Sequence, residues 1–144
     1  MSNKVFVGYD TREDIAYQVC EHSIWQHNKG TEVIPLKQKE LRDKMLYWRG
    51  EDKLASTEFT FTRFLIPHLM NYEGWALFID SDIVFLEDVD NLFALADDKY
   101  AVMCVQHDYN PKPGTKMDGQ IQTQYPRKNW SSVVLWNCGH PSNQ

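Results

Sequence analysis

Hydrophobic positions along this chain come in short blocks divided by polar or Gly/Pro-bearing stretches, and the spacing within each block predicts an element. Residues 4–10, "KVFVGYD", read as a buried first strand that ends in a turn at Gly8. Residues 11–30 predict a helix with Thr11 as N-cap, Asp14 three residues later as a capping-box partner, and Gly30 at C′. Its apolar stripe is Ile15, Val19, Cys20 and Ile24. Residues 31–36 form a short second strand, and residues 37–55 are polar and irregular, in part helical. Residues 56–72 start a helix at Ser56 or Thr57, send Phe61, Phe64 and Leu65 to the core, and end or kink at Pro67. The remaining blocks are a strand over 75–82, a helical turn over 89–95, a buried strand over 100–106, a long loop over 107–128 and a last strand over 131–137.

Strands alternating with helices and then following one another predict an α/β sandwich with a mainly parallel central sheet, in one domain spanning residues 1–144. Ligands of such sheets bind beyond the carboxyl ends of the strands. Asp10 and the pair Asp80/Asp82 fall at strand ends, and they share one crevice if their strands are neighbours.

Charge sharpens this picture. A net charge of −5 argues against non-specific nucleic-acid binding. Between Gly74 and Asp98 there are seven acidic residues and no Lys or Arg. From Glu87 onward, including the second Asp-x-Asp at Asp88 and Asp90, this acidic run reads as a solvated helix start. Asp80 and Asp82 differ, because apolar residues flank them on both sides. The three cysteines are scattered and form no CxxC, which fits reduced thiols. With no apolar run of membrane-spanning length and no signal-peptide pattern at the N-terminus, the expected location is cytoplasmic. The sequon at Asn129 would matter only in a secretory compartment.

On a strand, residues i and i+2 point the same way, so Asp80 and Asp82 would project together, with Ser81 turned aside. Paired carboxylates suit a hard divalent cation, Mn²⁺ or Mg²⁺. Two protein ligands leave most of its shell open to water and to the oxygens of a diphosphate, whose growing charge the ion would stabilise as it departs.

Four blocks in order, "VFVGYDTRED", "STEFTFTRFLIPHL", "WALFIDSDIVFLEDVDNLF" and "NWSSVVLWN", resemble GT-A glycosyltransferases, closest to the glycogenin and galactosyltransferase-like branch, family eight. The resemblance runs from residue 4 to about residue 140. It implies a nucleotide-sugar donor, most simply UDP-linked, an acceptor that is a glycan, lipid or protein, and retention of anomeric configuration. By the same resemblance Gly8, Tyr9, Asp10 and Thr11 hold the base and ribose. Arg63 holds Asp80 or touches the donor sugar. Asp80 contacts ribose and metal, and Asp82 contacts metal and diphosphate. Trp130, Ser131 and Ser132 border the donor or acceptor sugar, although Val133 stands where the family has glycine. The family's later segment supplies a third metal ligand, a histidine, and a Gly/Lys loop over the diphosphate. This sequence reads as C-terminally short of that segment, and His140 and His107 are the nearby histidines.

Two other functions fit part of the pattern. "FIDSDIVF" also matches a HAD-type phosphatase with Asp80 as nucleophile and Asp82 as general acid. A degenerate module that binds nucleotide or glycan without turnover is the non-enzymatic alternative.

Overall fold

A computed structural model describes residues 2–50, 57–105, 114–115, 121–122 and 130–144. Ser56, His107 and Asn129 lie outside them. The strands are β1 (Lys4–Gly8), β2 (Glu32–Leu36), β3 (Trp75–Ile79), β4 (Val102–Cys104), β5 (Gly114–Thr115), β6 (Ile121–Gln122) and β7 (Val133–Asn137). The helices are α1 (Asp14–His27), α2 (Gln38–Asp43), α3 (Ile66–Leu69) and α4 (Asp90–Phe93).

Five strands form one sheet in the order β2-β1-β3-β7-β4. β1 runs parallel to β2 and β3, while β7 is antiparallel to both β3 and β4. Four of the five strands therefore share one direction and β7 alone opposes them, so the sheet is mainly parallel as expected. Within the span expected as a loop, β5 and β6 pair antiparallel.

Alternation along the strands divides the core between the two faces. Val5, Val7, Leu77, Ile79 and Leu135 lie with Tyr17, Cys20 and Ile24 of α1 and with Val89. Phe6, Leu36, Ala76, Phe78, Val134 and Trp136 lie on the other face with Phe59 and Ile66. The result is a three-layer sandwich whose central strands are buried on both sides.

Several local expectations are corrected. Asp10, not Thr11, caps the chain after β1: its carboxylate accepts the Arg12 N–H ahead of a 3₁₀ turn, Thr11–Glu13. α1 turns Tyr17, Cys20 and Ile24 inward, which leaves Ile15 and Val19 in solvent at 74% and 50% exposure. Both apolar sets fit a helical period, and packing on the sheet selects the first. α1 ends at His27 with Asn28 following, and the Gly30 N–H bonds the Asn28 side chain, so Gly30 is a turn residue. Residues 57–72 form turns, a 3₁₀ segment (Thr62–Leu65) and the short α3. Pro67 sits in the first turn of α3, where its missing N–H costs nothing, instead of ending it. Phe64 is exposed, and Phe59, Thr62, Arg63, Ile66 and Pro67 are the buried positions. β4 is an edge strand, with Val102 and Cys104 exposed instead of buried.

Candidate functional site

Because β1 and β3 are parallel neighbours, with Val7 opposite Ile79, their carboxyl ends lie side by side. β7 runs the other way, with Val133 opposite Ile79, so its first residues come to the same end. Asp10, Asp80, Asp82 and the Trp130–Ser132 turn thus gather at one edge. His140 follows the far end of β7. Four residues of strand, roughly 14 Å, separate that end from Ile79. There the His140 ring accepts the Ser142 N–H as a local cap, so it does not join the two aspartates.

Asp80 and Asp82 lie just past β3, not on it. The ladder still reaches Asp80, whose N–H donates to the Ser132 carbonyl at 2.9 Å. Ser81 is turned inward, 2% exposed, with its hydroxyl unpaired. Asp82 is exposed and Asp80 half-buried.

Arg63 comes to this edge from below the sheet. It is 8% exposed, with its guanidinium 4.7 Å from the centre of the Phe78 ring. One guanidinium nitrogen donates to the Ser131 carbonyl at 2.6 Å, and another stands 3.5 Å from Asp80 Oδ1. That second contact is an ion pair without hydrogen-bond geometry, since Asp80 Oδ1 lacks a hydrogen-bond partner; Arg63 Nε lacks one too. Burial is the main cause pushing the Asp80 carboxyl up to about 6; the Arg63 charge opposes it, while Asp82 and Glu13 reinforce it. Burial likewise lowers the Arg63 guanidinium from its ordinary value. Each partner disfavours its own charge by being buried and is held ionised by the other.

The turn after β1 is closed upon itself. The Asp10 side chain is fully buried and accepts Arg12 Nε at 2.9 Å, Arg12 Nη2 at 2.6 Å, the Arg12 N–H at 3.0 Å and the Glu58 N–H at 3.2 Å. The Thr11 N–H goes to Glu58 and the Glu13 N–H to the Asp10 carbonyl. Three successive N–H groups are consumed internally, so this turn is not a phosphate-cradling nest. Tyr9 is half-buried, donates its hydroxyl to Asp14 at 2.6 Å, and has Lys37 Nζ 5.0 Å from its ring centre. Gly8 answers a packing need: a Cβ there would lie 2.4 Å from Phe59 Cδ2.

The second Asp-x-Asp has another function. Asp88 accepts the Asp90 N–H, and both carboxylates accept the Asn28 side-chain amide, while Asp90 also accepts that of Asn3. It opens α4 and ties that helix to the end of α1 and to the residue before β1.

Asp80 and Asp82 are carboxylates, the ligand type that suits a divalent ion; Asp80 Oδ1 is buried beside Arg63 without a hydrogen bond, and Asp82 is exposed. Among the described residues no group of three His, Cys, Asp or Glu side chains is arranged to hold a metal. Sequence reasoning missed Glu58, which carries no motif of its own and which only the fold brings to Thr11. It also missed that Ser131 and Ser132 act through their carbonyls.

Comparison with known proteins adds to this geometry. The model of a family described as glycosyl transferase family 8 matches residues 9–137. Protein CDI of Arabidopsis thaliana is 61% identical over 142 residues, covering 98% of this chain and 55% of that protein. The chain thus spans about half the length of this curated relative. The apo structure of the bifunctional glycosyltransferase WbbM aligns with 96% of this chain and 32% of its own, at TM-score 0.61 and 17% identity. The glycosyltransferase GlyE of Streptococcus pneumoniae TIGR4 aligns with 96% of this chain and 34% of its own, at TM-score 0.57 and 19% identity. Among the described residues no helix is long and apolar enough to cross a membrane.

Proposed function

Since this chain belongs to glycosyltransferase family 8 and has the GT-A fold, we propose that it transfers a sugar from a nucleoside diphosphate donor, UDP-linked, to an acceptor with Mn²⁺ or Mg²⁺ bound. The observation that carries this is the position of Asp80 and Asp82 beyond β3, beside the end of β1 and the start of β7. A divalent ion held by these two carboxylates would offset the negative charge that develops on the departing diphosphate. The family match on both sides of the motif displaces the phosphatase alternative.

The chain's own residues divide the remaining work. Arg63 keeps Asp80 ionised and fixes it against the Ser131 carbonyl. Tyr9 offers ring surface to a uracil. The turn at Asp10 and Thr11 is rich in carboxylates and has no spare N–H among Thr11, Arg12 and Glu13. That leaves none of these donors for a phosphate, so the contact this turn offers a nucleoside is the ring of Tyr9. Trp130, 39% exposed, presents a face on which a sugar ring can stack, with Ser131 and Ser132 beside it.

Release of UDP from a panel of UDP-hexoses in Mn²⁺ tests the proposal. At least one donor should turn over, and Asp82→Asn should slow it by about a hundredfold, the scale of lost electrostatic stabilisation at a leaving group. Binding of donors with no release from any, across a broad acceptor panel, would favour the module without turnover.

A further inference from the structure

Three stretches distant in sequence meet at Glu58. Its carboxylate takes both donors of Thr11, the backbone N–H at 2.7 Å and the hydroxyl at 3.1 Å. Its own N–H donates to Asp10 Oδ2 at 3.2 Å. Its carbonyl accepts the Gln38 side-chain amide at 3.2 Å. Asp10 and Thr11 follow β1, Gln38 opens α2 after β2, and Glu58 leads into the segment that carries Arg63. One half-buried residue therefore ties the turn after β1 to the chain after β2 and to the arm that fixes Asp80.

This tie is polar throughout. Glu58 makes four hydrogen bonds and belongs to neither apolar cluster of the core. An N–H on a carboxylate is a charge-assisted bond with a strong directional preference. Water could satisfy Thr11 just as well if the only need were to solvate a surface turn. What water would not do is set the turn's position relative to Arg63.

We propose that Glu58 is a positioning residue for nucleotide binding, holding Tyr9–Thr11 in register with Arg63 and Asp80 before a ligand arrives. The proposal rests on the function argued above. Its physical content is pre-organisation: a turn already held in place loses little freedom when a nucleoside settles on it.

The variants are E58A, E58Q and E58D. Gln can still accept the Thr11 N–H on Oε1 and donate from Nε2 to the Thr11 hydroxyl, whereas Ala makes neither bond. Asp keeps the charge but is one methylene shorter. Two quantities are read on the full chain, at a temperature where circular dichroism shows each variant folded. They are the Kd for UDP with Mn²⁺ and, without ligand, the exchange rate of the Thr11 amide. E58A should bind about tenfold more weakly and exchange faster at Thr11, and E58Q should stay within about threefold of the wild type in both. Wild-type binding and exchange in E58A, or E58Q as weak as E58A, would overturn the assignment. If E58A does not fold, E58D decides: weakened binding with faster exchange supports the proposal, and wild-type values overturn it. If the wild-type chain itself fails to bind UDP with Mn²⁺, the donor assignment fails, and Thr11 exchange in E58A and E58Q still decides the role of Glu58.

Discussion

The family resemblance implies that Asp10 contacts base and ribose, and the strand pattern places it at the carboxyl end of β1. Its buried carboxylate accepts from Arg12 and from the N–H of Glu58. The Arg12 side chain, hydrogen-bonded to it, is the main cause holding the Asp10 carboxyl down to about 2, and burial works against this. A carboxyl lowered on folding stabilises the protein above its unfolded pKa, and that contribution is lost as pH falls through the folded value. Relative to the ordinary 3.8, the shift is worth on the order of 2 kcal/mol. Stability measured by urea denaturation should therefore fall between about pH 5 and pH 2 in the wild type, and fall less steeply in Asp10→Asn. Equal slopes would show that Asp10 does not carry this dependence. Gly8 teaches a similar lesson: it stands at the predicted turn, and the aromatic ring of Phe59 against it could not be foreseen from its neighbours in the chain.

At the scale of elements, the proposed site depends on a link from one face of the sheet to the strand ends. The 3₁₀ segment carrying Arg63 packs on one face, and its guanidinium reaches past Phe78 to join the end of β3 to the start of β7. Removing one partner of a buried pair leaves the other charge uncompensated, at a cost of roughly 3–5 kcal/mol where the survivor stays ionised. Asp80, already raised to about 6 by burial and its acidic neighbours, can instead take up a proton. Arg63→Met should accordingly destabilise the chain by about 2–4 kcal/mol at pH 8 and by less at pH 5, read from chemical denaturation. Arg63→Lys should not restore it, because an ammonium lacks the fork that serves the Ser131 carbonyl and Asp80 together. A loss that is the same at both pH values would contradict coupling through Asp80. The family resemblance already offered Asp80 as one of two partners for this arginine, the donor sugar being the other. Sequence reasoning misjudged the helix around it, because Pro67 is as acceptable in a first turn as it is disruptive in an interior. In the stripe of α1, Cys20 and Ile24 are buried as expected while Ile15 and Val19 were misjudged for a related reason: apolar residues occur on two sides, and tertiary packing chooses between them.

Across the whole molecule, strand blocks were the most legible feature, since continuous apolar runs such as those of β1 and β3 have few alternatives to a doubly covered strand. The order of those blocks carried the fold, and the Asp-Ser-Asp at the end of one of them marks the proposed site. What stayed hidden were contacts made by backbone carbonyls and by polar residues far apart in sequence, such as Ser131 with Arg63 and Glu58 with Thr11. No local period encodes these. His140 shows the converse, a residue of suitable type that β7 carries to the wrong end of the sheet.

Calorimetric titration of UDP into the full chain, in Mn²⁺ and then in excess EDTA, tests the central claim most directly. Saturable binding in Mn²⁺ that disappears in EDTA, and is weakened at least tenfold by Asp82→Ala, is the expected result. Binding of equal strength without the metal, or unchanged by the loss of Asp82, would contradict it.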